Sequence, residues 1–222
     1  MLNLGDDIED ETPEIDRVRD RECLDTLRAS GAELVNVAGN HDYYNLTPAE
    51  ILDAWGRTGE LFYSVDRGGV HFTVLCTRQR SNVNILVDEP QLAWLDADLA
   101  ATNLPTVVLM HHPAADQDLR GNRWFEGLTH LALIENRARV REILARHGRT
   151  QLVLNGHLHW NHVALMDGIP YVTLQSLIEN LDEDAPGRVA AAHAEIYLDP
   201  PYTKIEIHGA ERHRYEFITP RR

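Results

Sequence analysis

The chain predicts an α/β fold with two β-sheets and helices on their outer faces. Three observations carry this. Apolar strand-like runs alternate with helical patterns as far as His159. From His162 onward the pattern is almost all strand-like. The alternating strands run into short polar clusters, as in layered α/β folds whose strand ends form a site. A chain of 222 residues with 43% hydrophobic and 25% charged residues suits one domain with a sizeable core.

The elements follow in order. Leu2 to Leu4 read as the end of a strand. Thr12-Pro13 gives an N-cap and first helical position, opening a helix to about Ser30. Glu33 to Ala38 is a short apolar strand. Thr47-Pro48-Ala49-Glu50 fits a capping box before a helix to about Arg57. Leu61 to Val65 and Val70 to Cys76 pair as a hairpin through Asp66-Arg67-Gly68-Gly69. Asp88 caps a helix to about Ala101, and Thr106 to Met110 is a buried strand. Leu133 to His147 reads as one helix, and Gln151 to Leu154 as the next strand. The tail offers strands over Val163–Met166, Tyr171–Leu174, Arg188–Leu198, Lys204–His208 and Arg212–Ile218. Two long loops stand out, Asp116–Thr129 around Trp124 and Asn180–Gly187.

Four polar clusters follow strand-like runs: Gly5-Asp6, Gly39-Asn40-His41-Asp42, His111-His112-Pro113 and Gly156-His157-Leu158-His159. A Gly-Asp pair alone is an ordinary turn; the signal is the repeated placement. Carboxylate, amide oxygen and imidazole together suit a borderline divalent ion such as Mn²⁺, Fe²⁺ or Zn²⁺. His157 and His159 can serve different points only if the backbone between them leaves the strand conformation.

These blocks resemble the calcineurin-like metallophosphoesterases, whose pattern is D-x-H, G-D, G-N-H-[D/E], H and G-H-x-H. The last four blocks are matched in order between residues 5 and 159. Tyr63 to Phe72 and Gln91 to Leu95 are similar to segments of the phosphodiesterase-type branch. The resemblance implies a four-layer α-β-β-α sandwich in which Asp6 bridges two metals. Asn40, His111 and His157 complete one metal site with it, and His159 serves the other. It also implies that His41 faces the substrate and that Asp42 orients His41. His111 is preferred to His112 because the first histidine of that block is the ligand. The D-x-H block is absent, since only five residues precede Asp6. The expectation is therefore an N-terminally incomplete domain over 1–222 that lacks its first strand, through a late start, truncation or divergence. Asp7 and Asp10 are weighed as substitute ligands.

The expected function is hydrolysis of a phosphoester, more readily a diester, by metal-activated hydroxide with one or two ions per chain. The alternative is a catalytically weak or inactive binding protein on the same fold. A formal net charge of −14 opposes broad nucleic-acid binding but not a small phosphoester substrate beside cations. No apolar run approaches the ~20 residues of a membrane span. The acidic N-terminus lacks signal-peptide character, so a cytoplasmic location is expected. An exposed sheet edge would allow a homodimer. Cys23 and Cys76 are expected to be reduced, mostly buried thiols. His71, His130, His147, His193, His208 and His213 are read as surface or core residues, and His162 as a strand-surface residue.

Overall fold

The computed structural model describes residues 1–78, 85–177 and 191–219. The loop expected over Asn180–Gly187 and the start of the strand expected from Arg188 lie outside them. In chain order the elements are β1 Leu2–Asn3, α1 Pro13–Arg28, β2 Val35–Asn36, α2 Asp42–Asn45, α3 Pro48–Trp55, β3 Tyr63–Arg67, β4 Val70–Val74 and α4 Glu89–Ala101. They continue with β5 Thr106–Leu109, α5 Thr129–Ala132, α6 Arg137–His147, β6 Thr150–Asn155, β7 His162–Met166 and β8 Ile169–Thr173. β9 His193–Asp199, β10 Tyr202–His208 and β11 His213–Ile218 close the series.

The main sheet has six strands in the order β3-β4-β5-β6-β8-β7. Its centre, β4-β5-β6-β8, is parallel, and each edge is closed by an antiparallel hairpin partner. The β3–β4 turn is Gly68-Gly69, both at positive φ (57° and 79°), the backbone of a type I′ turn. Asp167-Gly168 (54° and 77°) performs the same service between β7 and β8. Two smaller sheets accompany it, a parallel pair β1-β2 and an antiparallel trio β11-β10-β9.

Both faces of the main sheet are covered, as the continuous burial of β5, β6 and β8 requires. On one face Leu92, Leu95 and Leu99 of α4 and Val140, Ile143 and Leu144 of α6 pack on Val108, Val153 and Tyr171. On the other, Val107, Leu109, Leu152 and Leu154 meet Leu2 and Val35 of the pair and Ile205 and Ile207 of the trio. Sheet therefore packs on sheet, with helices outside. The outer face of the trio is different: along β9 every second residue, from His193 to Asp199, is exposed.

Local chemistry explains the element starts. The Thr12 hydroxyl accepts the Ile15 N–H at 3.3 Å, and Pro13 opens α1. Thr47 and Glu50 form a complete capping box on α3. Asp88 caps α4 by accepting Gln91 N–H at 3.1 Å. One expectation is corrected. The helix expected from Leu133 starts only at Arg137, and α5 is a separate turn before it. Tertiary bonds hold the intervening residues extended: Ile134 N–H donates to Pro113, Glu135 N–H to Ile85, and the Asn136 amide brackets the Val87 backbone at 3.2 and 2.6 Å.

Candidate metal centre

Parallel pairing brings the four polar clusters to one edge. Asp6 follows β1, Asn40 and His41 follow β2, His111 follows β5, and His157 follows β6. β1 is parallel to β2 and β5 to β6, so each pair sends its C-terminal ends the same way. Gly5 and Gly39 let the first two loops cross closely. A Cβ on Gly5 would stand 2.5 Å from the Gly39 nitrogen, and one on Gly39 would stand 2.1 Å from Asp6 Oδ1. Asp6, His157 and His159 all adopt left-handed backbone (φ 60°, 67° and 55°). This conformation is costly for non-glycine residues and concentrates at functional sites. It answers how His157 and His159 leave the strand direction.

At the centre His111 Nε2 lies 3.0 Å from Asp6 Oδ2 and 3.2 Å from Asn40 Oδ1. Its Nδ1 lies 2.7 Å from the Leu4 carbonyl and must donate there. Three electron-rich atoms thus converge at Nε2, and only a shared proton or a cation can hold them together. The backbone N–H of His41 donates to the remaining Asp6 oxygen at 3.0 Å. Burial opposes charge on Asp6, but the facing His111 outweighs it and holds the acid well below the usual carboxylate range. Burial likewise works against charge on His111, and Asp6 outweighs it, moving His111 upward.

The His157 ring packs against His111 with centroids 5.1 Å apart. Its Nε2 donates to the Leu131 carbonyl at 2.9 Å, which leaves Nδ1 a lone pair able to bind a cation. Burial, then His111, lowers its pKa to about 3, so the ring is neutral, the form a metal requires. His159, half-buried, adds to that depression.

His111, His112 and His157 offer nitrogens that all lie within 4.8 Å of one another. The Thr77 hydroxyl accepts the His112 backbone N–H at 3.3 Å and also lies 2.7 Å from His112 Nδ1, anchoring the ring. Burial keeps the His112 ring neutral, and its Nε2 is buried without a hydrogen-bond partner among the described residues.

The side chain bonded to His41 is not Asp42, as expected, but Asp10, whose Oδ1 lies 2.5 Å from His41 Nδ1. Asp42 instead accepts three backbone N–H groups, from Gly39 (2.7 Å), Asp6 (3.0 Å) and Asp7 (3.0 Å), and so clasps the first two loops together. Burial and the neighbouring Asp7 and Asp6 push Asp42 well upward. Both carboxylate oxygens of Asp7 accept from the Asn3 side-chain amide, at 3.0 and 2.9 Å. Behind it burial and Asp7 raise Asp20 to about 6 and Cys23 to about 12, which leaves that thiol unreactive. Cys23 and Cys76 are both free, and Cys76 is buried.

The Asp116–Thr129 loop reaches this centre. Phe125 packs 4.6 Å from the His157 ring. Buried Asn122 accepts the N–H groups of Trp124 and Phe125, both at 3.0 Å, and donates to the Leu158 carbonyl at 2.9 Å. Sequence reasoning missed Asn122, Thr77, Leu4 and Leu131. The last two act through backbone carbonyls, which leave no side-chain signature.

The converging acceptors, the ring protons committed to Leu4 and Leu131, and the neutral imidazole fit a divalent cation. Comparison with known proteins agrees. The model of the calcineurin-like phosphoesterases matches residues 1–161. A probable cyclic nucleotide phosphodiesterase of Synechococcus sp. is 29% identical over 165 residues, 72% of this chain. The chain spans 57% of that relative's length. Among solved structures, a dimetal phosphatase from Danio rerio superposes with a TM-score of 0.72 at 18% identity, over 99% of this chain and 83% of that one. A purple acid phosphatase from yellow lupin gives 0.62 at 10% identity, over 97% and 52%. At such identities these two likenesses establish the fold alone. With its family model covering well over half the sequence, the chain belongs to the calcineurin-like phosphoesterases.

Proposed function

We propose that this chain hydrolyses small phosphoesters, diesters in preference to monoesters, with a divalent cation held by Asp6, Asn40, His111 and His157. His159 and Asp6 are the residues for a second ion, and Mn²⁺, Fe²⁺ and Zn²⁺ are the candidates for both. The observation that carries the reading is the meeting of Asp6, Asn40 and His111 Nε2 within 3.2 Å. A divalent cation there supplies Lewis acidity, offsetting charge on phosphate oxygens and acidifying water.

The chain's own residues do the rest. Leu4 and Leu131 hold the ring protons of His111 and His157 away from the centre. Asp10 fixes the half-buried His41 ring through Nδ1, leaving Nε2 for the substrate. From there His41 bonds a phosphate oxygen and hands a proton to the departing alkoxide. The preference for diesters rests on the phosphodiesterase relative.

The test is Mn²⁺-dependent hydrolysis of bis(p-nitrophenyl) phosphate against p-nitrophenyl phosphate, with His157→Ala alongside. Diester turnover should exceed monoester turnover and fall at least about 100-fold in the variant, as when a group acting directly in catalysis is removed. A folded wild-type chain no more active than His157→Ala would overturn the reading and leave a binding protein on a phosphoesterase fold.

A further inference from the structure

We infer that the outer face of the β9–β10 hairpin carries a second, independent metal site, built from His193, Glu195 and His208 and selective for Zn²⁺. Pairing puts His193 directly opposite His208. Glu195 lies two residues along β9 and so on the same face. Nitrogens and a carboxylate oxygen of the three all lie within 4.8 Å of one another. The imidazole rings stack with centroids 5.0 Å apart and planes 19° from parallel, which keeps the two histidines side by side on this face. None of the three belongs to the strand-end centre, and the inference does not depend on the reaction proposed there.

Two further observations point to a cation. His208 Nε2 is hidden from solvent yet makes no hydrogen bond among the described residues. Among the described residues the acid paired with it is Glu195, at 3.8 Å, too far for a hydrogen bond. A hidden polar atom of this kind calls for a partner. Glu195 also stands directly opposite Glu206, an arrangement of like charges that destabilises a sheet. Glu206 is relieved by Lys204 at 3.0 Å and Arg214 at 3.8 Å. Among the described residues Glu195 pairs only at long range, with His208. One cation among Glu195, His193 and His208 would satisfy both defects.

The donor set selects the ion. Two imidazoles and one carboxylate suit Zn²⁺ and disfavour the oxygen-seeking Mg²⁺, Ca²⁺ and Mn²⁺. Ligands about 2.0–2.1 Å from a tetrahedral ion stand about 3.4 Å apart. The present spacing closes by at most about 1.5 Å through side-chain rotation on an exposed strand face, and water completes the fourth position.

The experiment is Zn²⁺ stoichiometry of the full chain, by metal analysis after equilibrium dialysis, for the wild type and His193→Gln/His208→Gln. The wild type should bind one Zn²⁺ equivalent more than the variant, while Mn²⁺-dependent activity stays the same in both. Equal stoichiometry and affinity would overturn the site. On the unaltered chain, Zn²⁺ but not Mn²⁺ should protect His193 and His208 from diethyl pyrocarbonate, read by peptide mass spectrometry. Unchanged modification under saturating Zn²⁺ would equally overturn it, whether or not the double variant folds.

Discussion

Gly39 has no side chain because Asp6 occupies the place where one would begin. The 2.1 Å approach to Asp6 Oδ1 is far inside van der Waals contact, and the Asp6 backbone nitrogen follows at 2.6 Å, so turning the carboxylate alone makes no room. Gly39→Ala should therefore move the Asp6 carboxylate off His111 and weaken Mn²⁺ binding at least about 10-fold, the order seen when a support of a metal ligand is disturbed. Isothermal titration with Mn²⁺ checks this, with near-ultraviolet circular dichroism to show that the variant folds. At this scale much was legible: Asp6, Asn40, His41, His111, His157 and His159 each follow a strand in a spaced block. The partner of His41 was not. Asp10 and Asp42 are both acidic and near in pattern, and only the crossing of the two loops decides which carboxylate meets the ring.

Asn122 shows how an element can depend on one side chain. Its amide ties the long loop to the turn bearing His157, with both oxygen and nitrogen satisfied in a buried setting. Asn122→Ala should cost about 2 kcal/mol, since it strands buried backbone groups. Urea unfolding measures that cost. Activity should fall too, because Phe125 lies on the His157 ring. Capped helices and glycine turns were readable because Thr12, Thr47, Asp88 and Gly68-Gly69 act within a few residues of themselves. The late start of α6 was not, because Asn136 answers to Val87, 49 residues away.

The whole molecule carries a pH dependence of its own, away from the centre. His71, the second residue of β4, is buried, with Nδ1 2.6 Å from Asp66 and Nε2 2.9 Å from Asp98. Asp98 also takes the hydroxyls of Ser64 (2.6 Å) and Thr73 (3.1 Å). Burial opposes charge on His71, but the two carboxylates outweigh it and its pKa is raised. A raised folded pKa means that the protonated ring stabilises the fold. That stability is fully present below the unfolded value of about 6.5 and is lost as pH rises through the folded value. Unfolding free energy should fall with rising pH over that window, and His71→Gln should flatten the slope and cost about 1–3 kcal/mol at pH 6. Denaturant melts at pH 6 and pH 9 compare the two chains. Sheet-on-sheet layering was legible from the alternation and the strand-rich tail. The division of the smaller layer into a pair and a trio was not, because hydrogen-bond partners across the chain leave no local trace.

The two-residue turns bear on how the molecule could be handled. β4 and β8 run parallel to β5 and β6, so Gly68-Gly69 and Asp167-Gly168, which precede β4 and β8, sit at the pole opposite the polar clusters. Exposed loop tips of this kind accept insertions. A linker joined at Gly68-Gly69 would anchor the protein to a bead or electrode with its strand-end centre turned toward the solution.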